Sequence, residues 1–540
     1  MSEPQAPLSD ARLWREDGGT VSAVAHNVST RYLAYVVDAI LGVVMLPFNL
    51  AHLGMAAYGL WMLTTSFTVY FAMLDLGYGG ALVRFVAQYR AQRNARALNE
   101  VLSTFSFVYA AIGVVAYLVV VVIAVNLDLV TKLTPDQVST SRLLLLIIGA
   151  NVALRFVFAV YGGVIVGFQR YHLNNLTSIG SSLVVAAANV AVLLMGYGVV
   201  ALVGVTTLVR VLSLLVYWGN AYRTFPGLSI RWALFRRERF REVSGFSVYM
   251  LLLDAAYKVN YSTDMLVVGA CLGAPAVALW APAQRLTELA LRLSNQLGDA
   301  LFPIVVDCDA SQRAARLRTV FVQGTRLSLA SALPVGGGLA LLAQPLLLAW
   351  LGPTFATTAI VVQILAFVVI VRVGCSTASV VLKGAGLHQR LTLLIGIMAV
   401  LNLVLSVALV RPFGIVGVAI GTAVPVTLVA VGSLFPTACH RVGLAFGDVF
   451  REALWPALWP AAISLSLLAF TGARLPPTLP SVVLQLAVST AVYFGFFLLA
   501  VGPDGRSEYL RHVTKLLNRS VRQVKSFGTA PASTRPATTE

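Results

Sequence analysis

The sequence predicts an all-α polytopic membrane protein, and three observations carry that expectation. Of its 540 residues, 58% are hydrophobic and 11% charged, against about 25% charged in soluble domains. Mean hydropathy is +0.83. The apolar runs stay continuous for about 20 residues, the length at which an α-helix crosses a bilayer, and do not alternate as barrel strands do. The formal net charge of +17 does not mark a nucleic-acid binder, because the cations sit in short segments between apolar runs and in the tail. Cys271, Cys308, Cys375 and Cys439 show no CxxC and no paired spacing, so neither a disulfide framework nor a metal site is expected. No cofactor is implied. The first 30 residues are polar and the first apolar run is too long for a signal-peptide core, so no cleavable leader is expected.

In chain order, a polar segment at 1–31 precedes about fourteen spans. Six of them (32–53, 57–79, 102–125, 143–167, 176–197 and 199–219) make an N-lobe over 32–219. A basic linker at 220–244 follows. Six more (245–270, 277–302, 319–343, 357–384, 391–410 and 414–435) make a C-lobe over 245–435. Region 436–502 holds two further helices (454–470 and 481–501), and 503–540 is a basic, then disordered tail. Most of the 39 Lys and Arg fall in alternate loops, while Lys132, Arg142, Arg411 and Arg474 lie in the others. Positive charge concentrates on the cytoplasmic side, which predicts both termini inside at the inner membrane. Twelve spans plus a re-entrant pair at 454–501 would keep that orientation. The linker reads either as a topology signal or as an amphipathic stretch on the inner leaflet, anchored by Trp232, Phe235 and Phe240.

The chain repeats itself. Arg155 precedes Gly167 by 12 residues, as Arg372 precedes Gly384. A Gln-Arg pair follows each (Gln169-Arg170 and Gln389-Arg390), then a mid-helix asparagine (Asn189, Asn402), then an aromatic-glycine pair at Tyr197 and Phe413. Two lobes with the same orientation are expected to be related by a pseudo-two-fold along the membrane normal, with the substrate site between them. Two matching arginines facing one interface would form a cationic site, and arginine's planar fork suits phosphate. The competing expectation is that each pairs with a carboxylate such as Asp38, Asp75 or Asp264. Arg326, Lys383 and Asp75, near span ends, read as snorkelling side chains. Arg210 in mid-span is open to either role. Pro47, Pro282, Pro334 and Pro425 are candidate hinges or packing kinks.

A polar seam runs through 245–303, which carries Asp254, Lys258, Asp264, Arg285, Glu288, Arg292 and Asp299. Each ion at mid-bilayer depth costs roughly 2.5–3.5 kcal/mol, so the seam is expected to face a water-filled pathway. Asp254 and Lys258 are spaced i,i+4 to pair on one face. Arg285, Glu288, Arg292 and Asp299 fall on one helical stripe, with Asn295 and Gln296 in its gap. Arg155, Arg285, Arg292, Arg372 and Lys258 are the candidate substrate-binding residues. Asp38, Asp254, Asp264 and Glu288 are the candidate ion-coupling residues.

The stretches LPFNLAHLGMAAYGLW at 46–61, YFAMLDLGYGGALVRFVAQY at 70–89, MLVVGACLGAPAVALWAPAQRL at 265–286, AWLGPTF at 349–355 and FGIVGVAIGTAV at 413–424 resemble the polysaccharide transporters. These are the O-antigen-type flippases of the multidrug/oligosaccharidyl-lipid/polysaccharide exporter superfamily. The last two spans resemble the extra pair of the lipid II flippases. The resemblance implies two lobes that rock to alternate access. It implies a polyprenyl-diphosphate-linked oligosaccharide moved from the inner to the outer leaflet for cell-surface polysaccharide biosynthesis, with polysaccharide-assembly enzymes as partners. It implies a transporter and no enzyme. No GxxxxGK[ST] loop for ATP is present. A cation-coupled multidrug exporter of the same superfamily would need an acid-rich, cation-poor interior. A membrane glycan polymerase or ligase would need large external loops, and the longest expected here, 126–142, is short.

Overall fold

The computed structural model describes residues 21–75, 78–130, 134–244, 248–294, 296–472, 474–502 and 506. Residues 1–20, most of the 503–540 tail, Asn295 and the side chains of Asp254, Gln296 and Asp299 lie outside the described set. Among the described residues the elements are helices and no strand occurs. The first half comprises α1 (Val21–Phe71), α2 (Tyr78–Ala91), α3 (Ala95–Val125), α4 (Pro135–Gly167), α5 (Tyr171–Leu194) and α6 (Val199–Thr224). The linker carries α7 (Arg237–Ser244). The second half comprises α8 (Val248–Ser262), α9 (Asp264–Leu272), α10 (Ala274–Ser294), α11 (Gln296–Ala310), α12 (Ala314–Leu351), α13 (Ala356–Gly374), α14 (Ser376–Gly384), α15 (His388–Val429) and α16 (Phe435–Val442). Two last helices follow, α17 (Trp455–Gly472) and α18 (Leu479–Ala500).

Ten helical segments are long and apolar enough to cross a membrane. Two of them hold two spans each. The 51 residues of α1 would extend about 76 Å at 1.5 Å per residue, far beyond a hydrocarbon core of about 30 Å. Its helix breaks at Gly54, with φ 74°, a backbone state open to glycine at little cost. Likewise α15 breaks at Gly414, with φ 59°. There the chain turns back on itself: a Cβ on Gly417 would meet Leu409 O at 2.0 Å, and one on Gly421 would meet Ser406 N at 2.6 Å. The first break falls between the expected spans 32–53 and 57–79, and the second at the first residue of the expected span 414–435. The charged span 245–270 is divided into two shorter helices, α8 and α9, which meet at Thr263.

One apolar core draws only on the first half, around Phe105, Tyr109 and Val164, and another only on the second half, around Phe321, Val381 and Phe435. A third joins Leu46, Tyr58 and Leu63 of α1 to Trp280, Ala366 and Val418, so α1 packs on both halves. Trp350 Nε1 adds a hydrogen bond to Val43 O at 3.0 Å. The last two helices seat on α12 at a glycine run. A Cβ on Gly337 would come within 2.5 Å of Leu465, and one on Gly338 within 2.3 Å of Leu486.

The linker is tied to α3 by hydrogen bonds and ion pairs. Asn99 and Ser103 of α3 bond to the backbone of Gly227, Ser229 and Arg231, and Thr104 accepts from Arg236 N. Glu100, with only 12% of its side chain exposed, pairs with Arg96, Arg236 and Arg239. Phe240 packs on Tyr78, and Phe235 stacks on Trp232. Of the three expected anchors Trp232 is well exposed, at 68%. The linker is held by helix α3 because a nearly buried carboxylate at its start attracts the linker arginines.

Candidate functional site

On α1, Val36, Ile40 and Val44 recur every fourth residue and are exposed. Asp38, Gly42, Met45 and Asn49 lie on the other side and line a cavity of about 590 Å³. The period of 3.6 thus turns one face outward and delivers the polar residues inward. Arg155 from α4, Arg210 from α6 and Arg285 from α10 line the same cavity, with amide and hydroxyl side chains between them.

Asp38 ties α1 to α10. Its Oδ2 lies 2.9 Å from Arg292 Nη1 and 3.6 Å from Arg285 Nη2. Arg285 Nη2 also donates to Asp38 O at 2.7 Å. Gly42 makes this seat: a Cβ there would fall 1.8 Å from Arg285 Nη2, so the guanidinium lies flat on the backbone of α1. Arg210 is within electrostatic reach of both Arg155 and Asp38. Among the described residues no carboxylate forms an ion pair with Arg155, and in the lining of this cavity Asp38 stands with three arginines, Arg155, Arg210 and Arg285. Glu288 points elsewhere, accepting from Gln284 at 3.0 Å, which in turn accepts from Trp280 at 3.1 Å.

A second cavity of about 520 Å³ lies in the other half. Arg372, Lys383, Ser376, Ser379 and Tyr257 line it, with an otherwise largely apolar wall that includes Leu391, Ile395 and Met398. Its lining and that of the first cavity have no residue in common. The expectation of Arg155 and Arg372 facing one site is therefore corrected for the described cavities: each lines the cavity of its own half. Lys383 is corrected too, since its Nζ sits 5.3 Å over the Phe302 ring inside this cavity. Asp75 does not snorkel either; it accepts from Tyr109 Oη at 2.8 Å and from Gly79 N at 3.2 Å, opening α2. Lys258 is half-buried on α8, outside the linings of both cavities. The expected Asp254–Lys258 pair lies outside the described residues.

Asp264 is buried. Its Oδ2 accepts from Thr422 Oγ1 at 2.9 Å, and Asn402 Nδ2 donates to Thr422 Oγ1 at 3.0 Å and to Asn260 O at 3.4 Å. Three oxygens of this chain of groups, Asp264 Oδ1, Asn402 Oδ1 and Asn260 Oδ1, have no hydrogen-bond partner. Arg372 is within electrostatic reach of Asp264. The first half holds the matching bond: Thr206 Oγ1 donates to Asn189 Oδ1 at 2.9 Å. Thr206 and Thr422 each stand nine residues after the aromatic residue of the repeat, Tyr197 and Phe413.

Sequence reasoning did not single out Asn49, Asn151, Asn174, Ser182 or Thr206. A polar stripe on α5 at 174, 178, 181, 182 and 189, and the four-residue spacings Asn151–Arg155 and Thr206–Arg210, were the signals that would have found them.

The comparisons with known proteins agree with this architecture. The family described as polysaccharide biosynthesis protein matches residues 24–308. "Probable flippase AglR" of Haloferax volcanii is 23% identical over 514 residues, covering 93% of this chain and all of that protein. "Uncharacterized membrane protein EpsK" of Bacillus subtilis is 23% identical, covering 74% of this chain and 80% of that one. Among solved structures, "Lipid II flippase MurJ, inward closed conformation" superposes with TM-score 0.67 at 13% identity, covering 87% of this chain and 97% of that one. An inward-facing multidrug resistance MATE transporter gives 0.59 at 16% identity, covering 76% and 94%. A multi-pass helical bundle of this kind has the fold of the MurJ and MATE transporters. The chain belongs to the polysaccharide biosynthesis protein family.

Proposed function

We propose that the protein moves a polyprenyl-diphosphate-linked oligosaccharide from the inner to the outer leaflet of the cytoplasmic membrane by alternating access, for cell-surface polysaccharide assembly. The observation that carries this is the cavity lined by Asp38, Arg155, Arg210 and Arg285, a net charge of +2 by those four residues, with Arg292 reaching Asp38 from beside it. Such a surplus attracts an anion, and guanidinium forks bind phosphate oxygens in pairs. A lipophilic cation would meet repulsion there, which disfavours the drug-exporter alternative. The names of AglR and MurJ as flippases support the same substrate class.

Asp38 gives the arginines a partner until the substrate arrives. A diphosphate competes with it for Arg285 and Arg292, and those two sit on α10 whereas Asp38 sits on α1. Binding therefore loosens the tie between the two halves, and release restores it. With the termini inside, an inside-negative potential assists outward movement of the head group by about 2.3 kcal/mol per uncompensated charge per 100 mV. Asp264 is the coupling residue in this scheme. Its own Oδ1 with Asn260 Oδ1 and Asn402 Oδ1 offers oxygen donors of the kind that hard cations prefer, and a proton on Asp264 Oδ1 is the other coupling event the site admits.

The test is flipping in proteoliposomes of a fluorescent polyprenyl-diphosphate sugar, read by quenching from outside. Wild type accelerates exchange and Arg285→Ala with Arg292→Ala abolishes it under this proposal. Exchange at wild-type rates in that double variant would remove it.

A further inference from the structure

The first cavity carries a second kind of chemistry. Asn49 and Asn151 line it and are only 5% and 7% exposed. Asn49 Oδ1, Asn151 Nδ2, Asn174 Oδ1 and Arg285 Nε, all from lining residues, lack hydrogen-bond partners. A buried polar atom left this way costs about 1–3 kcal/mol. The set contains two donors and two acceptors. Phosphate oxygens, when ionised, only accept, so a diphosphate can serve the donors and leaves both Oδ1 atoms unmet. A hydroxyl group donates and accepts, and a group of sugar hydroxyls can meet all four.

The placement is ordered. Asn151 stands four residues before Arg155 on α4, and Thr206 four before Arg210 on α6. Each step is about one helical turn, or roughly 5.4 Å, and α4 and α6 run the same way and pack together. An amide and hydroxyl level therefore lies one turn away from the cationic level, displaced to the same side on both helices. The cavity in the second half has no amide side chain in its lining, so this level belongs to the first half alone.

We propose that this level is a sugar-binding subsite: with the diphosphate held by the arginines, Asn49 and Asn151 hydrogen-bond the hydroxyl or N-acyl groups of the first sugar. The inference rests on the lipid-diphosphate reading above and adds to it that the protein discriminates by the glycan. The volume of about 590 Å³ lies within the roughly 300–1,000 Å³ of small-molecule sites.

The experiment measures binding of two probes to the purified full chain in detergent, a bare polyprenyl diphosphate and the same lipid bearing one N-acetylhexosamine. Wild type should bind the sugar-bearing lipid at least about thirtyfold more tightly, and Asn49→Leu and Asn151→Leu should each cut that preference about tenfold, one lost hydrogen-bond set apiece. Affinity for the bare lipid should stay within about twofold and doubles as the check on folding. Should a leucine variant lose the bare lipid, Ser182→Ala in the same lining replaces it, with a several-fold loss of preference expected. Equal binding of both lipids by wild type, or a preference unchanged in the variants, overturns the subsite and leaves the diphosphate reading standing. Failure of wild type to bind either lipid overturns the diphosphate reading and the subsite with it.

Discussion

Replacing Gly42 by alanine would place a carbon 1.8 Å from Arg285 Nη2 and 2.3 Å from its Cζ and Nε. Those atoms are the far end of a flexible side chain, so the guanidinium moves and the helix does not. Moving it breaks the 2.7 Å bond to Asp38 O, and a hydrogen bond to a charged group contributes about 1.5–3 kcal/mol. Alanine in a helix interior returns up to about 1 kcal/mol relative to glycine. The net loss of stability is then only about 0.5–2 kcal/mol. The effect on the ligand should be larger. If Arg285 holds a phosphate from this seat, displacing it removes a charge-assisted pair, expected to weaken binding about 10- to 100-fold, or about 1.4–2.8 kcal/mol. Thermal unfolding in detergent and titration with polyprenyl diphosphate read the two quantities separately. A Gly42→Ala protein with undiminished affinity and undiminished flipping would refute the claim that Arg285 works from its place on α1.

Three further outcomes follow from the same contacts. Asp38→Asn removes the internal competitor for Arg285 and Arg292, so diphosphate affinity should rise several-fold while turnover falls, a split seen by comparing binding with flipping rate. Asp264→Asn keeps an acceptor for Thr422 and removes the charge; flipping should lose its dependence on an applied Na⁺ or H⁺ gradient while the bare lipid still binds, and an intact gradient dependence would exclude Asp264 from coupling. Glu100→Gln removes the charge shared by Arg96, Arg236 and Arg239, so trypsin should cut within 231–241 several-fold faster, measured by the disappearance of intact chain.

Much of the fold was legible because each span is long and apolar in itself, and lipid demands that every helix satisfy its own backbone. The span ends near Gly54 and Gly414 were legible to within a residue or so because the hydropathy dips there. The charged stretch at 245–303 lies outside the ten segments long and apolar enough to cross a membrane among the described residues, because its ions break the apolar run; its helix α10 packs against α1 and α13. Partners were another matter. Asp38 and Arg285 are 247 residues apart, and nothing local in a sequence pairs them. The repeat correctly matched Asn189 with Asn402, whose threonine partners stand at matching positions, but it suggested that Arg155 and Arg372 meet. Symmetry relates two positions without bringing them together, and each arginine stays in the cavity of its own half. Glu100 stands four residues after Arg96, but its hold on the linker through Arg236 and Arg239 required the fold.

The central claim, that the arginine-rich cavity selects an anionic lipid head group, is tested most directly by the thermal stability of the purified protein in detergent, titrated with a polyprenyl-diphosphate sugar and separately with a lipophilic cationic dye. A specific ligand at 100 times its Kd adds about 2.7 kcal/mol. The account predicts stabilisation by the lipid diphosphate that Arg292→Ala loses and Arg372→Ala, in the other cavity, largely retains. Stabilisation by the dye alone, indifferent to Arg292, would contradict it.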